Sequence, residues 1–229
     1  MRPCLFDYLG RLDYAAATEL QETGARGVKD GGPERLLLLE HEPVITLGRN
    51  ARPEDVLLPE EGLRARGVAL APTNRGGQVT YHGPGQLVGY PILCLHPERR
   101  DVGRYLRDLE EVLIRTLAHF GIAATRVPGL TGVWVEGEKI ASLGVHLSRW
   151  VTTHGFALNV STDLAAFSLI VPCGLRAARM TSMERLLGFR PPLERVAAVL
   201  VPEFAGIFER EMRPAAAIAR PPIVLRETA

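Results

Sequence analysis

Lysine is almost missing from this chain. Of its 27 lysine and arginine residues only Lys29 and Lys139 are lysine; the rest are arginine. Arginine holds its proton at any physiological pH, so the chain has nearly no cation that can also act as a base. Cysteine is sparse as well. Cys4, Cys94 and Cys173 cannot all pair, and none stands in a CxxC spacing. A disulfide framework and a cysteine zinc site are thereby excluded, and a reducing compartment is expected. No HExxH spacing joins the histidines, so no metal is expected either. Charge of one sign is not in excess: the net value of +1 argues against a nucleic-acid partner held by bulk electrostatics. No apolar run approaches the length of a membrane span, and the opening MRPCLFDYLG lacks a signal peptide's apolar core. The expectation is a soluble cytoplasmic protein with no membrane partner.

What remains is ordinary for a globular enzyme: 229 residues, 46% hydrophobic and 23% charged, with no internal repeat and no linker. One domain is expected over 1–229. Strand-like stretches fall at 4–10, 35–49, 68–73, 79–82, 86–95 and 153–160, and 132–148 alternates around EGEK as a hairpin. A helix is expected over 14–25, ended by Gly24 or Gly27, with a short helical piece at 62–67. The plainest helix runs from the cap Asp101 to Gly121, with Leu106, Leu109, Leu113, Leu117 and Phe120 at helical spacing. Thr181 and Glu184 have the spacing of a capping box, and 192–211 is helical with Pro202 expected to break or kink it. The regular rhythm of a parallel sheet is absent. The fold class is α/β (α+β): a mixed, largely antiparallel sheet flanked by helices.

Three stretches carry chemistry. GGQVTYHGPGQ, residues 76–86, is dense in glycine, yet VTYH within it has high strand propensity. Such glycines serve either a plain hairpin or a backbone that must approach a ligand closely. No GxxxxGK[ST] is present and no GxGxxG opens a helix, so a phosphate loop fits poorly. In PCGL, Pro172 and Gly174 flank Cys173, fixing φ on one side and freeing it on the other, an arrangement suited to holding a thiol at a set angle. Cys94 in apolar PILCL reads as a small buried hydrophobe, and Cys4 as incidental. Lys29 in VKDGG reads as a solvated turn residue. Lys139 in EGEKIASLG resists that reading, because arginine would supply the charge but not the proton transfer. A cysteine nucleophile with a lysine base is a workable acyl-transfer pair. Of the histidines, His41, His96 and His119 read as structural, whereas His82, His146 and His154 lie within the stretches of interest.

RGGQVTYHGPGQLVGYPI, EKIASLGVHLSRWVTTHGFALNV and PCGL, with HEPVITLGR starting at residue 41, resemble the lipoyl(octanoyl) transferase family, in order and over residues 41 to about 183. The resemblance implies a fold shared with the catalytic domains of lipoate and biotin ligases. It implies transfer of an octanoyl group from octanoyl-acyl carrier protein to a lysine of lipoyl domains, those of 2-oxoacid dehydrogenase E2 subunits and the glycine-cleavage H protein. No cofactor is implied. The family's nucleophile falls on Cys173 and its partner on Lys139. Substrate-contacting loops fall on Arg75, Gly76, Gly77, Gln78, Val79, Thr80, Tyr81 and His82, on Ser142, Leu143 and Gly144, and on Gly155, Phe156 and Ala157. Carrier proteins are acidic, so Arg99, Arg100, Arg176 and Arg179 are expected near their docking surface. The rival readings are an ATP-dependent lipoate or biotin ligase, which needs no nucleophilic cysteine, and a non-catalytic binder of lipoyl domains or carriers.

Overall fold

A computed structural model describes residues 1–171 and 179–215. In chain order the elements are β1 (Arg2–Leu12), α1 (Tyr14–Lys29), β2 (Glu34–His41), β3 (Val44–Leu47), α2 (Glu60–Arg64), β4 (Ala69–Pro72), β5 (Val79–His82) and β6 (Gln86–Ile92). Then follow α3 (Val102–Ala118), β7 (Thr125–Val127), β8 (Leu130–Val135), β9 (Glu138–Ser148), β10 (Val151–Asn159), α4 (Met183–Leu187), α5 (Leu193–Phe208) and β11 (Arg210–Pro214).

Two sheets result. The larger has the order β11-β1-β2-β6-β10-β9-β8-β7, and the smaller β4-β3-β5. β1 runs parallel to both β11 and β2, while the junctions from β2 through to β7 are antiparallel. The mixed, largely antiparallel α/β architecture expected from the sequence is therefore present. β8 and β9 are joined through Glu136 and Gly137, both at positive φ (50° and 82°), as a two-residue hairpin of this twist requires.

Because side chains alternate along a strand, the larger sheet serves two cores at once. Leu36 and Leu38 of β2 face α3 and α5, packing with Leu109, Leu113, Leu200 and Phe204. Leu37 and Leu39 face the other way, with Ala17, Ala25 and Val28 of α1. α1 starts at the cap Asp13, whose carboxylate accepts from the Ala16 N–H at 2.8 Å. It does not stop at either glycine but continues to Lys29. Gly24 is a packing residue: a Cβ there would stand 2.8 Å from Ile92 Cδ1, so its absence lets α1 lie close on β6.

Two other expectations change. The cap of α4 is Ser182, which accepts from the Arg185 N–H, one residue later than the Thr181 spacing suggests. α5 runs through Pro202 without interruption. Pro202 is exposed, and so is Ala198, whose carbonyl loses its N–H partner at an exposed position of the helix. At the far edge Arg210 of β11 forms a buried ion pair with Glu34 of β2.

Candidate active site

The smaller sheet and the loop following β4 cover the β9 and β10 region of the larger sheet, on the face that also carries α1. Arg75 anchors that loop. Its guanidinium is buried and donates to the Thr46 carbonyl at 2.8 Å, to Thr46 Oγ1 at 2.9 Å and to the Gly76 carbonyl at 3.1 Å. The Gly76 N–H donates to the Val145 carbonyl at 2.9 Å, and the Arg49 and Asn50 N–H groups donate to the Arg75 and Gly77 carbonyls. The loop is thus stitched to β9 on one side and to the end of β3 on the other. Gly144 makes this approach possible, since a Cβ on it would stand 2.9 Å from the Gly76 carbonyl oxygen and 3.1 Å from Arg75 Cδ. Glycine density near residue 76 reflects close backbone approach.

Between loop and sheet lies a narrow slot of about 60 Å³. Of the residues expected to contact substrate, Arg75, Gly77, Gln78, Val79, Thr80, His82, Ser142, Leu143, Gly144, Gly155, Phe156 and Ala157 line it, together with Lys139. Gly76 contributes backbone to the docked loop instead. Tyr81 points to the opposite face of β5, packing edge-on against Phe167 at 5.7 Å, as alternation with His82 demands. Tyr14, Tyr90 and His154 complete the lining. The two tyrosines come from α1 and from β6; no motif marks Tyr14, and Tyr90 lies within the RGGQVTYHGPGQLVGYPI stretch without being among the residues expected to contact substrate.

Lys139 is buried at the start of β9, with Nζ 5.4 Å from the centroid of the Trp134 indole. Its backbone N–H donates to the Arg179 carbonyl at 2.8 Å, and its carbonyl accepts from the Thr181 N–H at 3.0 Å. Arg179–Thr181 therefore runs beside Lys139, a few positions after Cys173. Cys173 itself lies outside the described residues, as does Arg176. Gly132 makes room for the lysine. Its φ is +136°, and a Cβ there would fall 2.5 Å from Lys139 Cε. The Gly132 N–H donates to the buried Glu110 carboxylate of α3 at 2.9 Å, and Arg126 balances that charge at 3.2 Å. Neither Gly132 nor Glu110 was legible as a site residue, because the contact needs α3, β8 and β9 assembled.

The histidines around the slot are neutral. Burial drives His82 well below its ordinary pKa, and nearby His41 and Arg75 push the same way. Burial lowers His154 to about 3, with Arg75 adding to the effect. His41, read from sequence as structural, is lowered by burial to about 4; it bonds Tyr90 Oη at 2.6 Å and lies 5.6 Å from the His82 ring. A hydrogen-bond chain fixes the His82 tautomer. Asn159 Nδ2 donates to the Thr181 carbonyl at 3.1 Å, leaving its Oδ1 to accept from Gln86 Nε2 at 2.9 Å. Gln86 Oε1 must then accept from His82 Nδ1, at 2.7 Å. His82 accordingly carries its proton on Nδ1 and leaves Nε2 as an acceptor. His154 is held at a positive φ of 56°, a strained position for a non-glycine residue.

Neither described cysteine fits a nucleophile. Cys4 is fully buried, and burial pushes its thiol up to about 12; Cys94 sits on the far stretch after β6, beyond the slot lining. Two of the arginines expected to dock a carrier also fall elsewhere. Arg99 is tied to Asp108 and Glu209, and Arg100 lies over Trp150, on the α3 and α5 side of the sheet. Arg179 lines a surface recess with Glu138 and Arg185. No helix among the described residues is long and apolar enough to cross a membrane.

A family model, lipoyl protein ligase A/B catalytic domain, matches residues 13–205. The octanoyltransferase of Solibacter usitatus (strain Ellin6076) is 57% identical over 220 residues, covering 96% of this chain and 99% of that protein. Among solved structures, lipoate-protein ligase A bound with ATP superposes with a TM-score of 0.79 at 18% identity, over 96% of this chain and 90% of that one. The biotin protein ligase of Aquifex aeolicus, solved with biotin and ATP, gives a TM-score of 0.55 at 13% identity, over 90% and 70%. At these identities the two ligases speak for the fold alone.

Proposed function

The chain belongs to the lipoyl protein ligase A/B catalytic-domain family, and on that premise we propose that it is an octanoyltransferase. It moves an octanoyl group from the thioester of an acyl carrier protein to the lysine amine of a lipoyl domain. An octanoyltransferase that is 57% identical over almost the whole chain favours this over the ATP-dependent ligases, which are alike in fold at 18% identity or less. The observation that carries the reading is a buried lysine, Lys139, at the slot and bridged to Met180, seven positions after Cys173 in the sequence.

The reaction divides in two. Lys139 accepts the thiol proton, and Cys173 as thiolate attacks the donor carbonyl. The carbon–sulfur bond to the carrier breaks as the new thioester forms, and the proton passes to the departing carrier sulfur. The target lysine, as free amine, then attacks the acyl-enzyme. Its excess proton goes through Lys139 to the Cys173 sulfur, giving the amide and restoring the thiol. Thioester exchange is close to neutral in energy and the amide is the more stable product, so no ATP enters. Val79, Leu143 and Phe156 border the slot while also packing into the cores behind it, and Ala157, Tyr14 and Tyr90 offer the acyl chain apolar wall. Burying its seven or so methylene-sized groups at ~0.8 kcal/mol each contributes roughly 5 kcal/mol, enough to select for chain length.

The test is intact mass after mixing with octanoyl carrier protein and no ATP. One octanoyl adduct should appear, be removed by hydroxylamine, and vanish in Cys173→Ala. An adduct on Cys94 or Cys4 would remove Cys173 from its role, and labelling that requires free octanoate and ATP would replace the transferase with a ligase.

A further inference from the structure

β10 breaks its own alternation at one residue. Gly155 and Ala157 lie on the slot side while Phe156 and Leu158 join the leucine core, so a regular strand would send His154 to the core as well. Its φ of 56° turns it instead into the slot lining. The residue is braced there from three elements. Its N–H donates to Gln21 Oε1 of α1 at 2.7 Å, its ring Nε2 donates to Asn74 Oδ1 at 2.7 Å, and the ring stands edge-on to Tyr90 at 6.2 Å. Glycine would take that φ without strain. A buried, neutral imidazole held there against the backbone's preference points to a task at the slot.

His154 and Tyr14 line both the slot and a wider recess of about 670 Å³, whereas Lys139 lines the slot alone. The two residues are therefore a partition at the end of the slot away from the lysine. Its distance from the reacting end can be laid off along β9. A Cβ on Gly132 would stand 3.1 Å from Lys139 Nζ and 2.8 Å from the Ala141 carbonyl oxygen, which puts Nζ at the level of Ala141. His154 pairs with Val145, four positions further on, or ~13 Å of strand. An octanoyl chain extended over its seven carbon–carbon bonds is roughly 9 Å long. With about 3.5 Å between Nζ and the reacting centre, its terminal methyl arrives at the partition.

We propose that His154, with Tyr14, is the stop that sets the length of acyl chain the slot accepts. The inference rests on the transferase reading and adds to it the residue that measures the substrate. A chain four carbons longer extends a further ~5 Å and meets the imidazole. The walls to either side are the docked loop and the paired strands, which leaves no other way onward. The ring cannot swing aside without giving up its bond to Asn74, so Asn74 is a positioning residue for the stop.

The experiment measures kcat/KM with octanoyl and dodecanoyl carrier protein as donors. Wild type should favour the octanoyl donor by at least about a hundredfold, since even one surplus methylene in a fitted pocket costs about tenfold. His154→Gly removes the ring, suits the left-handed φ and keeps the N–H that bonds Gln21. The slot then joins the recess, and the preference should shrink by at least about tenfold. Asn74→Ala keeps the ring but frees it, and should shrink the preference by about threefold, the scale of one hydrogen bond. Taken within each variant, the ratio cancels any general loss of folding or catalysis, which is all that a merely structural histidine would cause. A wild type that transfers both chains equally well overturns this proposal alone, and so does a preference that survives His154→Gly. Should His154→Gly fail to fold, an unshifted preference in Asn74→Ala overturns it. A wild type that transfers from neither donor removes the transferase reading, and this proposal with it.

Discussion

The two faces of the larger sheet are written by the same strands in different chemistry. Along β9, Leu143, Val145 and Leu147 pack toward α3 and α5, while Ser142, Gly144 and His146 face the loop or the recess. Along β10, Phe156 and Leu158 join the leucine core, while Gly155, Ala157 and Asn159 lie on the side of the slot. Along these two strands the first face is mostly large and apolar and packs into the leucine core. The other, on β9 and β10, is a set of small residues and neutral polar groups beside a buried arginine and a buried lysine, next to the apolar packing of β2 and β6 against α1. Room for a ligand is arranged there at some cost in burial. The difference shows that one period of two can specify both a core and a site, with the register of β9 against β8 shifting between Lys139 and Ala141.

The sharpest way to break this division uses adjacent residues of opposite face. Lys139→Arg keeps the charge but not the exchangeable proton. Transfer to the lipoyl domain should fall by about a hundredfold or more, the scale of general acid–base catalysis, with acylation of Cys173 hurt less than its discharge. Stopped-flow acylation, full turnover and a thermal melt on one sample check this. Near-normal turnover would reduce the lysine to a fixed charge.

The second effect is read by titrating stability. His41 and His154 have folded-state values depressed to about 4 and about 3, and His82 is depressed as well. Above pH ~6.5 they are neutral in both states, and their contribution is complete. As pH falls below that, the unfolded chain takes up protons that the folded slot face refuses. Unfolding free energy should therefore drop, by at most about 1.4 kcal/mol per pH unit for each histidine, and level off once pH passes below the folded values. Urea melts from pH 7.5 to 4 should show this slope, and His41→Gln with His154→Gln should flatten it. A wild-type slope unchanged by both substitutions would place the acid sensitivity on the carboxylates.

The smallest effect comes from Lys139's neighbour. Ile140 is fully buried among the leucines of the other face. Ile140→Val should cost about 1 kcal/mol of stability and leave kcat/KM at its wild-type value. A loss of activity without a loss of stability would mean that the two faces are coupled.

Much of this was legible from sequence wherever the signal is local. Alternation marked the hairpin through Glu136 and Gly137, and helical spacing marked α3 from its cap Asp101. The slot loops were marked by residue types that local structure does not demand, such as a lysine among arginines. The misses have tertiary causes. Gly24 resembles a helix stop until Ile92 is seen pressing on it. Pro202 resembles a break until it proves to face solvent. Tyr14, Tyr90, Glu110 and Gly132 reach the slot or its lysine only when distant elements meet.

The parallel pairing of β1 with β11 has a consequence for synthesis. Arg2 is matched with Arg210 and Phe6 with Pro214, more than 200 residues later. β1 leaves the ribosome before both of its partners, and its inner edge can be satisfied early by β2. Its outer edge has no partner until β11 emerges, roughly ten to forty seconds afterwards at ordinary elongation rates. For that interval a row of unpaired amides and carbonyls stands open beside Cys4, whose thiol the finished sheet buries completely. A strand made about 200 residues ahead of its outer neighbour is thus among the last of the described strands to be sheltered.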